Sequence, residues 1–500
     1  MGRMLALGLL CAAALFPAAA RPELMDYRAR LDMKAELALL GDLLPTSTLT
    51  AHASAVMAGV GLNWGPPVLP DDSADDFVPT DGAVLEVVDI RLLLTQIAIQ
   101  TGARNHVALV RAQGARNHNV ILLRGGLVRL ADLALLAKGT PAAEFLKMDA
   151  GRLVLTRPLA IWSDAGLSLG ANDHLMLDRP SGSFLANLGR LDVAGGKISG
   201  SSGQNTAEPA FRPFVITAGQ GSFAARDASF ESLGFAAATV FGGLSVANNG
   251  LVPARRASVV RGSTFLDVGT LGLIGTTGAV VVGNRISASG DAALLISGSK
   301  NATVAANRLS SLAGKQAIRV TAGSAMVRLD GNLVSGGART GLLIDRGSRD
   351  VLVTRNLVVG SQTTGISVEA VTCVLMIGNL VASNGGAGIS IGNTDAVEVR
   401  GNAVLFNRGS GVMVRDQAAT ALVRVSGNVF IANRDGLRGA TAGNLVLSAN
   451  RLDGQIPRIF AGDLSRLSAD WLRNRNASVP VAIGTGQMSQ AAPCAIAGEG

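Results

Sequence analysis

Residues 356–379 read NLVVGSQTTGISVEAVTCVLMIGN and contain the pattern that decides the fold. The segment begins and ends on asparagine, and asparagines recur at intervals of 22 to 26 residues through the following series: Asn284, Asn307, Asn332, Asn356, Asn379, Asn402, Asn428 and Asn450. About ten residues after most of them, a small residue precedes an apolar alternation, as in Gly365-Ile366-Ser367-Val368. Each repeat is therefore a short strand, a turn and another short strand, with no stretch long enough for a helix.

A period in the low twenties with alternating apolar residues indicates a solenoid of stacked coils. Leucine-rich repeats have a similar length, but their leucine scaffold is missing. The pattern predicts an all-β fold, a right-handed parallel β-helix of 23–25-residue coils that add one strand to each of about three sheets. Inward residues would form aliphatic columns, and the asparagines would stack as an amide ladder. The glycines before the strands are expected at positive φ.

The composition of the 500 residues agrees with thin coils, because glycine is abundant (62 residues) and aromatic residues make up only 4%. The formal charge of +8 suggests a polyanionic partner, which could be an acidic polysaccharide, a nucleic acid or an anionic membrane surface. A basic surface that serves only solubility explains the charge equally well.

Taken in order, the chain divides into four segments. Residues 1–20 resemble a secretory signal, with Arg3, an apolar core and Ala18-Ala19-Ala20. Residues 21–115 are ill-defined, with a helix near residues 28–40 and a linker. The β-helix is expected over residues 116–455, and a capping helix with a tail over residues 456–500. No later apolar run is long enough to span a bilayer, so an exported, periplasmic or secreted protein is predicted.

Few residues suit a metal or a disulfide. A duplicated Gly-Ala-Arg-Asn-His places His106 and His118 twelve residues apart, but no Cys, Asp or Glu joins them at ligand spacing. Both copies are expected to be turns of early coils, and neither a metal nor a cofactor is predicted. Cys373 lies in an apolar strand and is expected to be a buried thiol, without a bond to Cys494.

Several blocks resemble, in order and spacing, the periplasmic mannuronan C-5-epimerases of alginate-producing bacteria. They are residues 182–187 (GSFLAN), 211–214 (FRPF), 230–234 (FESLG) and 243–245 (GLS), followed by the coils, including Ile344-Asp345-Arg346. The resemblance covers about residues 119–450. It implies a right-handed β-helix, a periplasmic address and a polyuronate substrate.

The resemblance also implies which catalytic residues of the family this sequence lacks. Epimerisation needs a base that removes the C-5 proton, a cation at the carboxylate and an acid that returns a proton to the opposite face. The family places Tyr, Asp, His and Arg at the positions held here by Ala292, Leu295, Ser297 and Ala322. All four histidines precede the coils that would carry the site. We therefore predict that the epimerase reaction is absent and assign no catalytic residue.

What the pattern retains is a row of charged side chains. Strand alternation sends every second residue outward, and parallel coils stack at about 4.8 Å, so one sheet face should carry a ladder of side chains. The predicted substrate-binding residues are Arg319, Asp345, Arg346, Glu369 and Arg415. Guanidinium groups could bind the carboxylates of a polyuronate in bidentate fashion. Alternatively, Asp345, Glu369 and Asp416 neutralise the arginines and the face is inert.

Three functions follow from these observations. The first is an epimerase-like protein that binds or acts on an acidic exopolysaccharide during its periplasmic assembly or export, together with other assembly proteins. The second is an active epimerase or lyase with a rearranged site, in which Arg346, Arg319 or Lys315 acts as the base; a guanidinium base is unfavourable because its pKa is normally above about 12. The third is a structural or partner-binding solenoid. Nucleic acid is not expected as a partner.

Overall fold

The computed structural model of the chain describes residues 27–38, 46–71, 77–104, 106–114, 118–288, 290–310, 312–473, 481–483 and 494. Within them, the chain winds through three long sheets, and each coil adds one strand to each sheet. Neighbouring strands pair in parallel along nearly the whole length of all three sheets. The all-β, parallel β-helix that the repeat predicts is confirmed. The signal-like residues 1–20 lie outside the described residues.

We number the sheets by the order in which a coil visits them. Sheet 1 contains Val84–Asp89, Asn119–Arg124, Leu159–Ile161, Leu185–Asn187, Val215–Ala218, Gly243–Ala247, Thr270–Ile274, Ala292–Ser297, Gln316–Thr321, Thr340–Ile344, Ile366–Glu369, Ile389–Gly392, Ser410–Arg415, Asp435–Ala440 and Arg458–Gly462. Sheet 2 contains Gly126–Arg129, Ala165–Leu169, Arg190–Ala194, Ser222–Arg226, Val259–Arg261, Val280–Val282, Thr303–Ala305, Ala325–Asp330, Arg349–Thr354, Thr372–Ile377, Ala396–Arg400, Leu422–Ser426, Asn444–Ser448 and Val481–Ile483.

Sheet 3 contains Leu146–Asp149, Arg152–Leu155, His174–Leu177, Lys197–Gly200, Ser229–Leu233, Thr264–Val268, Arg285–Ala288, Arg308–Ser310, Leu333–Ser335, Leu357–Val359, Leu380–Ala382, Ala403–Leu405, Val429–Ile431 and Arg451–Asp453. The α-helices are α1 (Tyr27–Ala38), α2 (Thr46–Gly59), α3 (Ile90–Thr101), α4 (His106–Ala112), α5 (Leu130–Leu136) and α6 (Leu467–Arg473). Short 3-10 helices span Pro141–Phe145 and Thr239–Phe241.

The predicted asparagine ladder is present and buried. From Asn284 to Asn428, each backbone N–H and each side-chain Nδ2 donates to the Oδ1 of the asparagine in the next coil, at 2.8–3.1 Å. The same side chains donate to a strand carbonyl, as Asn379 does to Val353 O at 2.8 Å. Because a buried amide without partners is costly, this ladder fixes the spacing and register of the coils.

A second ladder was not predicted. Asn384, Asn407 and Asn433 repeat the arrangement at the turn between sheet 3 and sheet 1, and Gln455 ends it. Their intervals of 23 and 26 residues were available in the sequence. Three members are fewer than the eight of the first ladder, which made the shorter series easy to overlook.

The expectation that the glycines before the sheet 1 strands adopt positive φ is wrong. Gly341, Gly365, Gly388 and Gly411 have no positive φ. Instead, a Cβ on Gly341, Gly365 or Gly388 would collide with the side chain of a core valine of sheet 3. The valines are Val358, Val381 and Val404, respectively. Glycine is required at these positions because a larger side chain would not fit, and not because the backbone adopts a left-handed conformation.

The segment before the coils packs onto the solenoid. Helices α1 and α2 cover the outer face of sheet 3 from Leu333 to Ile431, where apolar side chains of the two partners form one cluster. Residues 84–101 form an antiparallel edge strand of sheet 1, Val84–Asp89, followed by helix α3, whose N-cap is Asp89. The two Gly-Ala-Arg-Asn-His copies are not equivalent turns, because His106 begins α4 whereas His118 precedes a strand.

Residues 62–71 and 77–83, which we together call the strap, lie along sheet 2 between the late coils and the first one. The backbone N–H of Val68 donates to Asp330 Oδ2 at 3.0 Å, and Arg261 donates to Pro70 O at 2.9 Å. Further back, the Arg190 guanidinium lies 5.0 Å from the centre of the Phe77 ring. Thr80 pairs with Leu127 through backbone and side chain. Residues 72–76 lie outside the described residues.

The C-terminal part contains the predicted capping helix, but the prediction that Cys373 has no bond to Cys494 is wrong. Helix α6 lies within the predicted capping region, and Trp471 contacts Phe460 edge to face at 5.6 Å. Cys373 is buried as expected, but it is joined to Cys494 in a disulfide, with 5.3 Å between the Cα atoms. Cys373 has a positive φ of 60°, and it does not belong to the inward row that contains Val374 and Met376.

Asn379→Ala tests the ladder. The substitution removes the acceptor of two Asn356 donors and the donor to Val353 O in a site without solvent access, so we expect the free energy of unfolding to fall by about 2–4 kcal/mol. The control is Asn444→Ala, which removes one surface bond to Ala419 O. Urea denaturation would measure both, and equal losses in the two variants would contradict a ladder-specific role.

Asp330→Asn tests the anchor of the strap. Burial alone would raise the pKa of the Asp330 carboxyl, but bonds from Arg355, Val68 N–H, Arg328 and Thr354 outweigh it and lower this pKa below its usual value. The carboxylate therefore stabilises the fold above the pKa of the unfolded state, and this stability is lost as the pH falls through the lower folded pKa.

We expect Asp330→Asn to cost about 2–4 kcal/mol at pH 7, because Arg328 and Arg355 lose their shared carboxylate. The difference from wild type should shrink as the pH falls below 4, which urea denaturation at several pH values would measure. A difference that stays constant down to pH 2 would show that the charge of Asp330 is not what stabilises the strap.

Candidate functional site

Sheet 1 has an outer face that is covered at one end and open at the other. Helix α3 and the phenylalanines at 184, 211, 214, 235 and 241 form a second apolar cluster over the early strands. The block at residues 211–214 therefore serves packing, with the Phe184 and Phe214 rings stacked at 4.6 Å. Beyond residue 291, no apolar cluster of the described residues covers this side of sheet 1. We call the outer surface from Ala292–Ser297 to Asp435–Ala440 the open face.

The predicted alternation holds along the open face. Ile318, Val320, Leu342, Ile344, Ile366, Val368, Ile389, Ile391, Val412 and Val414 point into the core. The residues between them are in register from coil to coil, so that Arg319 stands beside Leu343, followed by Ser367, Ser390 and Met413. A second outward row follows two positions later and includes Glu369, Gly392 and Arg415.

Arg319 and Asp345 form a two-point ion pair across neighbouring coils. Arg319 donates from one terminal nitrogen to Asp345 Oδ2 at 2.6 Å and from Nε to Oδ1 at 3.4 Å. The two side chains are 24% and 12% exposed, respectively. This two-point contact orients the guanidinium and leaves Nη1 without a hydrogen-bond partner among the described residues.

Glu369 and Arg415 form a second pair, although a whole coil separates them. Arg415 donates to Glu369 Oε2 at 2.5 Å and to Asp416 Oδ2 at 2.7 Å. Gly392 lies between the two partners, and a Cβ there would collide with Glu369 Oε2 and lie 3.1 Å from Arg415 Cζ. Gly392 is thus a site residue that the sequence analysis missed, and the register of the outward row was the signal that could have found it.

Arg346 differs from the other two arginines. It lies at the end of its strand with φ of 52°, in a row of left-handed turn residues that includes Ala322 and Ala370. Its side chain is exposed, and no ion pair to it exists among the residues that the structure describes. The predicted binding residues therefore share one face as two ion pairs and one guanidinium exposed to solvent.

The four positions that the resemblance implies for catalysis carry no ionisable group. Leu295 points outward beside Arg319 of the next coil, and Ser297 stands beside Thr321. Ala292 is buried, and Ala322 occupies the turn with φ of 56°. The histidines at 52, 106, 118 and 174 are on α2, on α4, before a strand and on sheet 3, respectively, so none lies on the open face.

Two of the three candidate bases of the rearranged-enzyme alternative, Lys315 and Arg319, face carboxylates. Lys315 lies 3.1 Å from Asp291, and Arg319 is held by Asp345. Both cations are therefore engaged with carboxylates and do not lie among other cations, as the rearranged site would require. Within the described residues, no group of three or more His, Cys, Asp or Glu side chains could hold a metal ion. None of the described helices is both long and apolar enough to cross a membrane.

The fold and the open face define a parallel β-helix protein with a charged ladder on one sheet. Among curated proteins, the chain is similar to the mannuronan C5-epimerase of Pseudomonas aeruginosa, with 28% identity over 195 residues. The aligned part is 36% of this chain and 35% of the relative, so the match spans about a third of the relative's length. The resemblance to mannuronan C-5-epimerases is thereby confirmed at the level of sequence similarity.

Solved structures agree on the fold. The crystal structure of the periplasmic alginate epimerase AlgG matches with a TM-score of 0.60 and 19% identity, covering 79% of this chain and 98% of that one. A variant of the same enzyme matches with a TM-score of 0.61 and 20% identity, over the same shares of the two chains. At these identities the likeness shows a shared β-helix architecture.

A family model described as "Periplasmic copper-binding protein (NosD)" matches residues 256–453. Copper sites in proteins are built mainly from imidazole, thiolate and thioether ligands. The matched range contains no histidine, and its one cysteine, Cys373, is engaged in a disulfide. Its three methionines are scattered at 326, 376 and 413. The donor set of these coils does not fit copper, and we derive no chemistry through that metal.

Proposed function

We propose that this protein binds an acidic, polyuronate-like exopolysaccharide along the open face of sheet 1 and does not epimerise it. The observation that carries the proposal is the arrangement of three guanidinium groups on one face. Arg319 and Arg415 are held in place by carboxylates, and Arg346 is exposed to solvent. Coils repeat at about 4.8 Å, so a polymer lying along the axis would meet these groups in succession.

The ion pairs favour recognition of a carboxylate chain over an inert surface. A guanidinium that is already oriented loses less conformational entropy when it binds a second oxygen ligand. Asp345 and Glu369 set that orientation without using every N–H of Arg319 and Arg415. The same carboxylates would repel a polyanion, so Arg346 is the group from which we expect the largest single contribution to binding.

The proposal that the protein does not epimerise its polymer rests on the chemistry of the open face. Removal of the C-5 proton needs a base close to that atom, and Leu295, Ser297 and Ala292 supply none. Loss of the cation at Ala322 also removes the charge neutralisation that makes the C-5 proton acidic. Polymer binding and proton transfer depend on different residues, so the first can persist without the second.

A periplasmic location is part of the proposal. The matching family model is described as periplasmic, and the solved alginate epimerase is a periplasmic protein. Residues 1–20 have the charge, apolar core and small residues of an export signal. In that compartment the protein would hold or guide the polymer during its assembly or export, in contact with other proteins of the assembly.

Arg346→Ala tests the binding face. We expect affinity for polymannuronate to fall about fivefold to tenfold, because one charged contact is removed, and the affinity of the wild type to weaken with added salt. Fluorescence anisotropy with labelled polymannuronate would measure both effects. The matched control is Arg349→Ala, which removes an exposed arginine from sheet 2. Equal affinities for wild type and Arg346→Ala would favour the purely structural solenoid.

Incubation with polymannuronate in deuterated water tests the missing chemistry. We expect no deuterium at C-5 and no unsaturated product absorbing in the ultraviolet, because both outcomes require abstraction of the C-5 proton. Nuclear magnetic resonance of the recovered polymer would detect exchange, with an active mannuronan C-5-epimerase as the positive control. Deuterium incorporation that depends on the protein would establish the rearranged-enzyme alternative.

A further inference from the structure

The turn that leads from sheet 3 into sheet 1 carries a column of side chains along the later coils. Backbone hydrogen bonds between coils place each member beside the next, as when the Arg408 N–H donates to Asn384 O at 2.9 Å. We call this column the arginine edge. Its five exposed members, one in each of five successive coils, are Arg339, Gln362, Gly385, Arg408 and Arg434.

The three arginines of this edge have no carboxylate partner. Among the residues that the structure describes, no ion pair and no side-chain hydrogen bond involves Arg339, Arg408 or Arg434. Asp435 follows Arg434 in the chain, but it is buried and engages other side chains. Arg458 begins the sheet 1 strand of the next coil, and it is also exposed and without an ion pair in the described part of the chain. The edge therefore carries positive charge that the described chain leaves uncompensated, unlike Arg319 and Arg415 of the open face.

The second asparagine ladder holds two of these arginines side by side. Arg408 and Arg434 directly follow Asn407 and Asn433. The Asn407 N–H and Nδ2 both donate to Asn433 Oδ1, at 3.0 and 2.9 Å. Both asparagines are buried, so neither coil can shift without leaving amide groups unbonded. Like charges in neighbouring strands repel each other, and an anion bound between the two guanidinium groups would offset this repulsion.

The coils between Arg339 and Arg408 present a low, polar surface. Gln362 donates from Nε2 to Gly337 O at 2.6 Å, and its Oε1 accepts no hydrogen bond among the described residues. Gly385 occupies the next coil and adds no side chain. This surface leaves room for a sugar ring, and Gln362 Oε1 can accept a hydrogen bond from one of its hydroxyl groups.

We propose that the arginine edge is a second contact line for the linear, carboxylate-bearing polysaccharide, parallel to the axis and along the border of the open face. From Arg339 to Arg434 the edge spans about 19 Å, at about 4.8 Å per coil. Arg408 and Arg434 clamp one carboxylate, and Arg339 contacts another about 14 Å away. The class of polymer rests on the function proposed above, but none of the residues of the open face is used.

The edge and Arg346 lie on opposite sides of the open face. Arg339 precedes the strand Thr340–Ile344, and Arg346 follows it. Because a strand rises about 3.3 Å per residue, about 20 Å separates the two arginine positions. This separation exceeds the width of one polysaccharide chain, so the edge and Arg346 contact separate segments of polymer. Their contributions to binding can therefore be measured independently.

The composition of the edge favours a polysaccharide over other partners. Protein interfaces centre on large apolar or aromatic side chains, and single-stranded nucleic acid stacks its bases on aromatic ones. No position of the edge from Arg339 to Arg434 carries either kind of residue. A membrane surface would meet a plane of cations, whereas these stand in single file. A carboxylate chain needs only cations and hydrogen-bonding groups along a line.

The test compares Arg408→Gln/Arg434→Gln with wild type by fluorescence anisotropy of labelled polymannuronate. We use about 0.1 M salt, at which charges more than about 10 Å apart are largely screened. We expect the double variant to bind about tenfold more weakly, because the clamp on one carboxylate is lost. Arg408→Lys/Arg434→Lys keeps the charges but not the two-point geometry, and it should bind about threefold more weakly.

The matched control is Arg285→Gln/Arg424→Gln, which removes the same net charge from sheet 3 and sheet 2. It should stay within about twofold of wild type, because these charges lie away from the edge and are screened. An equal loss in this control and in the edge variant overturns the arginine edge as a specific line. Melting temperatures verify folding. If the double variant unfolds, the single variant Arg408→Gln replaces it, with an expected loss of about threefold.

The outcomes separate this inference from the proposed function. Wild-type affinity in the edge variant together with weaker binding in Arg346→Ala overturns the arginine edge and leaves the open face standing. Weaker binding in the edge variant with an unchanged Arg346→Ala supports the edge and counts against the open face. No binding of polymannuronate or polygalacturonate by wild type overturns both. Binding of an oligonucleotide or of anionic phospholipid vesicles instead, lost in the edge variant, overturns the polysaccharide assignment.

Discussion

The hydrogen bond from one asparagine to the next is the constraint on which this structure depends. Each Asn side chain in the main ladder lies in a turn with almost no solvent access and has its partners in adjacent coils. A shift of one coil by a single residue would leave several buried amide groups without partners. The ladder thus sets the register of all three sheets, and the register decides which outward side chains meet. The pairing of Arg319 with Asp345 is a consequence of this constraint.

The array could be predicted from the sequence because its contacts are nearly local. Each coil touches the next one about 24 residues away, so a repeated asparagine and a period of two contain enough information to orient Arg319, Glu369 and Arg415. The docking of α1 and α2 could not be predicted in this way, because their partners on sheet 3 lie some 300 residues further along the chain. Gly392 was missed for a related reason: its role appears only when Glu369 and Arg415 are placed two coils apart.

The helices that pack on the outside of the β-helix lie where the outward side chains of the coils are apolar. On sheet 1, the early outward positions are apolar and lie under α3, whereas the later ones mix charged and polar residues with Leu295, Leu343 and Met413 and remain open. On sheet 3 the order is reversed, because the early positions are basic and the later ones lie under α1 and α2. The strap between these helices and the first coil is held at Asp330, by Val68. Two outer surfaces therefore remain accessible, one on the later coils and one on the earlier coils.

This separation of inward and outward residues means that outward side chains can change while the coils stay intact. The asparagine ladders and the inward aliphatic columns stabilise the coils, and no side chain of the open face takes part in them. Ser297 or Leu295 can therefore stand where a catalytic group would be needed with little effect on folding. Fold similarity in a solenoid reports on the inward residues, whereas function depends on the outward ones. For this chain, the outward residues of the open face include Arg319 and Arg415, and the four positions compared with the epimerases carry no ionisable group.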